Sequence, residues 1–213
     1  MKESLYLLFL IFTLFSCKEK AINSINIDDH PVIYYYFDES GLIYYDERFT
    51  HSDSISKINR EAKSLFFEGK RESAIEISKN ILNENPVDPI VLNQLGIFFE
   101  EQKNFEKAIY YLNKSIKETD SLYSPSMINL GDLYATLGEQ KKAEKIFNQI
   151  INNSPYDIKK GIAFEGLARM YYKYGYIEKA KKMMYFAKKY SKAYPRFTEE
   201  FSKLERIIYD YNK

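Results

Sequence analysis

Several kinds of chemistry are excluded by what this chain lacks. Cys17 is its only cysteine, so no disulfide can form within the chain. The net charge is +1, so bulk charge points neither to nucleic acid nor to a strongly acidic partner. Tryptophan is absent, whereas 20 tyrosines and 15 phenylalanines indicate helices packed through aromatic side chains.

Reactive groups in a recognisable arrangement are also missing. The sequence contains no glycine-rich phosphate loop and no nucleophile motif. His30 follows Asp28 and Asp29 directly, and His51 lies apart from them in the sequence. These residues do not have the spacing of metal ligands. We therefore predict a protein that is not an enzyme and uses no metal or other cofactor, and we assign both histidines to a tether.

A repeat runs through the C-terminal three quarters of the chain. Ala74, Ala108, Ala143 and Ala180 are separated by 34, 35 and 37 residues. Around each alanine, apolar residues recur at the spacing of an amphipathic helix. A fixed period of this length is typical of stacked two-helix units, in which each unit buries its apolar face against its neighbours.

Turn residues fall between the two helices of each unit. Gly69, Gly138 and Gly175 do so in three units, where a residue with positive φ ends a helix at little cost. In the second unit Lys103-Asn104 takes this place, and we expect Asn104 to adopt the positive φ. We place the unit starts near Ile55, Pro89, Ser124 and Gly161. The extra residues before the third and fourth units are expected in loops.

The pattern resembles the tetratricopeptide repeat family over roughly residues 55–195. The resemblance rests on Leu95-Gly96 and Leu130-Gly131, the four alanines, and aromatic and proline residues at matching positions: Phe99, Tyr134, Tyr171, Pro86 and Pro155. It implies an all-α fold, a right-handed superhelical array of about four helical hairpins. Residues 196–213 are then expected to form a capping helix with one polar face, and a partner-binding helix is the alternative.

In that family the first helices of successive units line a concave groove that binds proteins or peptides. By resemblance, nine residues line this protein-binding groove: Asn59, Arg60, Lys63, Asn93, Gln94, Asn129, Asp132, Arg169 and Tyr172. Their amides are suited to bonding a peptide backbone, and Arg60, Lys63 and Arg169 are suited to selecting acidic groups. The alternative is that these residues form a solvated face without a ligand.

The N-terminus predicts a targeting signal. Residues 4–17 contain an apolar run that is too short to span a bilayer comfortably and fits a signal-peptide core. Its end, Leu14-Phe15-Ser16-Cys17, is similar to a bacterial lipoprotein signal, over residues 1–17. That similarity implies lipidation of Cys17 and anchoring to the bacterial outer membrane, on its periplasmic face or at the cell surface. The alternative is an ordinary signal peptide with an incidental cysteine.

Residues 18–54 differ in composition from the repeats. Up to His30 the composition predicts a polar tether. Two tyrosine-rich runs of β-prone residues then follow, on either side of the turn-like residues 38–41. A hairpin is predicted, and a helix is the alternative. The tyrosines would either dock a partner or a sugar, or cover the first repeat.

These observations lead to two functional hypotheses. The first is a lipid-anchored scaffold or adaptor of a bacterial envelope, whose groove binds an envelope protein or peptide of unknown identity. The alternative is a carbohydrate-binding envelope lipoprotein that uses the clusters Tyr34–Tyr36 and Tyr44–Tyr45. Neither hypothesis involves nucleic acid.

Overall fold

A computed structural model of the protein describes residues 33–38, 41–46 and 48–210. The chain divides into one unit of residues 1–50 and a second of residues 51–213. In the first unit, strands β1 (Ile33–Asp38) and β2 (Gly41–Asp46) pair in antiparallel register, with Tyr35 opposite Tyr44. Cys17, with the predicted signal and the polar tether, lies outside the described residues.

The second unit is a row of helices. Its described part contains α1 (Asp53–Phe67), α2 (Arg71–Glu84), α3 (Pro89–Glu101), α4 (Phe105–Glu118), α5 (Ser124–Thr136), α6 (Gln140–Asn153), α7 (Asp157–Lys173), α8 (Ile177–Tyr190) and α9 (Pro195–Asp210). Each helix packs on the next, and the first helices of neighbouring pairs also contact one another. This arrangement confirms the predicted helical repeat array.

Small side chains lie at the crossing of the two helices in each pair. Ala74, Ala108, Ala143 and Ala180 are all 0% exposed. In the second pair, a Cβ added at Gly96 would lie 2.6 Å from Leu112 Cγ, so the Leu112 side chain fills the space that glycine leaves. The periodic small residues are therefore a packing requirement of the repeat.

One aromatic ring joins two repeats. Phe147 of α6 is fully buried, and its ring lies between Gly131 of α5 and Gly166 of α7. A Cβ at Gly131 would lie 2.8 Å from the ring, and a Cβ at Gly166 would lie 2.5 Å from it. The absence of a side chain at both glycines leaves the space that the Phe147 ring fills. The third and fourth repeats therefore pack against each other through this ring.

The turns between helices follow the prediction at the glycines and differ in the second pair. Gly69, Gly138 and Gly175 have φ values of +92°, +84° and +76°. In the second pair it is Lys103, not Asn104, that takes a positive φ, of 58°. Asn104 instead caps α4, its Oδ1 accepting from the Lys107 backbone N–H at 3.3 Å. The expected role of Asn104 in the turn was therefore wrong, because its side chain is better used as a helix cap.

The fourth repeat begins earlier than its sequence indicated. α7 has 17 residues, against 13 in both α3 and α5, and starts at Asp157. The extra residues before Gly161 therefore extend a helix, and the expectation that they form a loop was wrong. This added turn buries Ile158, and Gly161 packs so closely that an added Cβ would lie 3.2 Å from the Ala187 carbonyl oxygen of α8.

His51 is not a tether residue. Its Nε2 lies 2.6 Å from Asp88 Oδ2, and both side chains are buried, at 8% and 4% exposed. Oδ1 of the same aspartate accepts from the backbone N–H groups of Ile90 and Val91, each at 3.0 Å, and so caps α3. The prediction failed because Asp88 lies 37 residues away in sequence and is brought to His51 only by the packing of the helices.

The last helix covers the end of the array. α9 packs on α8 and α7 through Phe197, Phe201 and Ile208, which are all buried. Lys188 of α8 donates to Glu205 of α9 at 2.7 Å. None of the helices in the described part of the chain combines the length and the apolar character that a membrane span requires.

The contact between Phe147 and the two glycines predicts opposite effects of one substitution in two backgrounds. G166A should destabilise the protein by about 1–3 kcal/mol, because the new methyl group overpacks the ring. F147A should cost about 3–5 kcal/mol by leaving a cavity. In F147A the added G166A should be neutral or stabilising by up to about 1 kcal/mol, because alanine favours helix and the ring is gone. Urea denaturation of the four proteins measures this coupling, and additive costs would contradict it.

Candidate binding surface on the first helices

The predicted groove residues lie on helices that stand side by side. α1, α3, α5 and α7 are the first helices of the four pairs, and each contacts the next in the row. We call the face that carries the predicted groove residues on these helices the first-helix surface. Residues at equivalent positions of successive repeats are therefore neighbours across helices.

Amide side chains connect the first three of these helices. Gln94 Nε2 of α3 donates to the Asn59 carbonyl oxygen of α1 at 3.3 Å. Asn129 Nδ2 of α5 donates to Asn93 Oδ1 of α3 at 2.9 Å, and the Ser126 hydroxyl donates to the same oxygen at 3.1 Å. Gln94 and Asn93 are only 9% and 8% exposed. Much of their hydrogen-bonding capacity therefore holds the repeats together, and the half-buried Asn129 is the more accessible amide.

An ion-pair cluster connects α5 and α7. Arg169 Nη2 of α7 lies 2.7 Å from Asp132 Oδ1 of α5 and 3.6 Å from Glu165 Oε2, one helical turn before it. The arginine side chain is 49% exposed, so the pair contributes only about 0–1 kcal/mol to stability. Its main effect is to hold the guanidinium over two carboxylates, so that it is not a free cation for acidic ligands.

Three carboxylates lie at this end of the surface. Burial raises the pKa of Asp132 and of Glu165, although Arg169 opposes the rise in both. Burial also raises the pKa of Glu100 on α3, and the nearby charges of Asp132 and Glu101 add to the effect. On α7, Arg169 and Lys173, whose Nζ donates to the Thr136 carbonyl oxygen of α5 at 3.5 Å, balance Glu165 and Asp132. The negative charge of this end therefore lies mainly on Glu100 and Glu101 of α3.

The opposite end of the row is basic. Arg60 is exposed and Lys63 is half-buried, both on α1. Aligned on Ala62 and Gly131, Lys63 has the position in its repeat that Asp132 has in the third. Tyr172, the last of the predicted groove residues, is half-buried on α7. The first-helix surface therefore changes from basic residues at α1 to carboxylates at α3 and α5.

Sequence reasoning missed two of the charged residues on this surface. Glu165 stands three residues before Ala168, the position that Asn59 and Asn93 have before Ala62 and Gly96, so the same alignment could have found it. Glu100 is recognisable only from its electrostatic contact with Asp132, which requires the packing of α3 on α5.

The repeat itself has known relatives. Residues 124–157, which contain α5 and α6, match the tetratricopeptide repeat family. A stretch of 75 residues is 32% identical to the anaphase-promoting complex subunit CDC16 of Saccharomyces cerevisiae. That match covers 32% of this chain and 9% of the yeast protein, so the chain spans only a small part of its relative's length.

Solved structures share the architecture at low sequence identity. MamA (residues 41 to the end) from Desulfovibrio magneticus RS-1 is 15% identical, with a TM-score of 0.52 over 76% of this chain and 96% of that one. A tetratricopeptide repeat protein from Parabacteroides merdae ATCC 43184 is 17% identical, with a TM-score of 0.52 over 75% and 71% of the two chains. These likenesses show the fold, and with the repeat match they support a tetratricopeptide repeat protein.

The raised pKa of Glu100 predicts how E100Q changes stability with pH. Because the pKa of Glu100 is higher in the folded protein, the protonated carboxyl adds to the free energy of unfolding at pH values below its ordinary pKa of 4.5. This added stability is lost as the pH rises through the raised pKa of the folded protein. E100Q should therefore be more stable than the wild type at neutral pH, and this advantage should disappear in mild acid. The urea denaturation midpoints of E100Q and the wild type, measured from neutral pH down to mild acid, test this prediction. E76Q, on the exposed face of α2, is the control. Equal effects of the two variants would contradict the prediction.

Proposed function

We propose that this protein is a lipid-anchored scaffold of a bacterial cell envelope, and that its first-helix surface binds a segment of another envelope protein. The observation that carries this proposal is the charge gradient along that surface, from Arg60 and Lys63 on α1 to the carboxylates of α3, α5 and α7. A gradient of this kind gives a bound chain a preferred direction.

The bound segment is expected to have charges in the complementary order. An acidic side chain would lie near Arg60 and Lys63, and a lysine or arginine would lie near Glu100 and Asp132. Asn129, the accessible amide between these two ends, is positioned to bond the backbone of an extended segment. The yeast relative is named as a subunit of a protein complex, which supports a protein-binding role for the shared repeats.

The anchor is proposed from the N-terminal sequence. The apolar run ends in Cys17, and its similarity to bacterial lipoprotein signals implies that the cysteine carries acyl chains. Each buried methylene contributes about 0.8 kcal/mol, so more than one chain is enough for stable attachment. The proposed location is the outer membrane, on its periplasmic face or at the cell surface.

Charge reversal at the basic end tests the binding surface. The full chain with a C-terminal tag is expressed in the source bacterium, crosslinked in intact cells and purified with its partners. R60E/K63E should lower recovery of a specific partner by about tenfold or more, since two attractive charges become repulsive. K141E/K145E makes the same charge change at exposed positions of α6 and should leave recovery unchanged. Wild-type recovery with R60E/K63E would show that the groove assignment is wrong.

Substitution of the cysteine tests the anchor separately. Wild-type protein should incorporate labelled palmitate and sediment with the outer membrane, whereas C17S should incorporate none and leave the membrane fraction. If C17S is labelled and sediments like the wild type, lipidation at Cys17 is refuted, and the binding surface is unaffected by that result.

A further inference from the structure

A second candidate site lies at the other end of the array, between α8 and the capping helix α9. These two helices enclose an open cleft of about 570 Å³. Its size falls within the range of about 300–1,000 Å³ that is usual for small-ligand pockets. None of the predicted groove residues lines it.

The cleft is in the most basic part of the chain. Residues 179–198 contain six lysines and one arginine and no aspartate or glutamate, although the whole chain has a net charge of only +1. Lys188, Lys189 and Lys192 line the cleft against a single carboxylate, that of Glu205. Lys188 is paired with Glu205 at 2.7 Å, whereas among the described residues Lys189 and Lys192 form no ion pair. The site therefore has positive charge left for an anionic group.

Two exposed aromatic rings flank the cleft, one from each helix. Tyr185 of α8 is 63% exposed and Tyr209 of α9 is 51% exposed. The Lys181 ammonium, which is paired with Glu178 at 2.8 Å, lies 5.4 Å from the centre of the Tyr209 ring. Flat aromatic faces at the sides of a cleft suit a ring-shaped ligand that presents C–H groups to them.

The polar residues among the rest of the lining offer both donors and acceptors. The Thr198 hydroxyl donates to the carbonyl oxygens of Ser191 and Tyr194, at 3.3 and 3.4 Å, so its own oxygen can still accept. The Lys188 ammonium and the Glu205 carboxylate stand side by side as donor and acceptor. This combination suits adjacent hydroxyl groups of a sugar, because each hydroxyl can both donate and accept a hydrogen bond.

We propose that the cleft between α8 and α9 binds an acidic saccharide, a sugar bearing carboxylate or phosphate groups. Tyr185 and Tyr209 would stack on the sugar ring, and Lys189 and Lys192 would hold the anionic substituent. An acidic peptide fits the lining less well, because the two exposed tyrosine faces suit a flat ring and Pro195 is the only aliphatic residue among those that line the cleft. The site is independent of the first-helix surface and does not rest on its proposed function.

Direct binding measurements test the proposal. The full chain, purified in detergent, is titrated calorimetrically with trigalacturonate and with glucose phosphate, which separate carboxylate from phosphate recognition. At least one of them should bind at least about tenfold more tightly than neutral maltotriose. Failure of both acidic sugars to exceed maltotriose would overturn the proposal.

Variants identify the site and the ligand class. K189E/K192E and Y185A/Y209A should each weaken binding by about tenfold or more without lowering the melting temperature, because these side chains are exposed. K141E/K145E on α6 matches the charge change of the lysine variant and should bind like the wild type. Equal losses in both charge variants would indicate bulk attraction and overturn the assignment. Binding of hexaglutamate as tight as that of the sugars, and unchanged in Y185A/Y209A, would replace the saccharide with an acidic peptide.

Discussion

The structure depends on the close approach of paired helices, which only small side chains permit. Ala74, Ala108, Ala143 and Ala180 have no exposed surface, and each marks the crossing point of its pair. A larger side chain at these positions would separate the helices and expose the apolar residues on both sides. Since each repeat buries its core against the next, a change at one crossing affects two interfaces.

This packing also decides what the polar residues can do. With the first helices held side by side, Asn93 meets Asn129 and Asp132 meets Arg169 across neighbouring repeats. The amides are mostly occupied by these contacts, and the arginine is neutralised by two carboxylates. The charge of the surface therefore depends on the residues that remain, which are basic on α1 and acidic at the end of α3.

Much of the fold could be predicted from the sequence because its signals are local. The helical period, the small residues and the turns at Gly69, Gly138 and Gly175 each depend on a few neighbouring residues. Prediction was weaker where local signals compete. The asparagine type suits both a turn with positive φ and a helix cap, and in the structure Asn104 is the cap. The extra turn of α7 forms because it buries Ile158, a gain that no local pattern reveals.

The candidate site shows the same division. The sequence by itself determined that the chain forms stacked helical hairpins and which faces of the first helices lie together, because periodicity places residues on faces. Only the tertiary structure decided which charges meet. Arg169 reaches Asp132 across 37 residues of sequence, His51 reaches Asp88 across the same separation, and the lysines of α8 face Tyr209 of α9 across a cleft. The physical reason is that charge pairing and cleft shape depend on distances in space, which are set by how the helices pack.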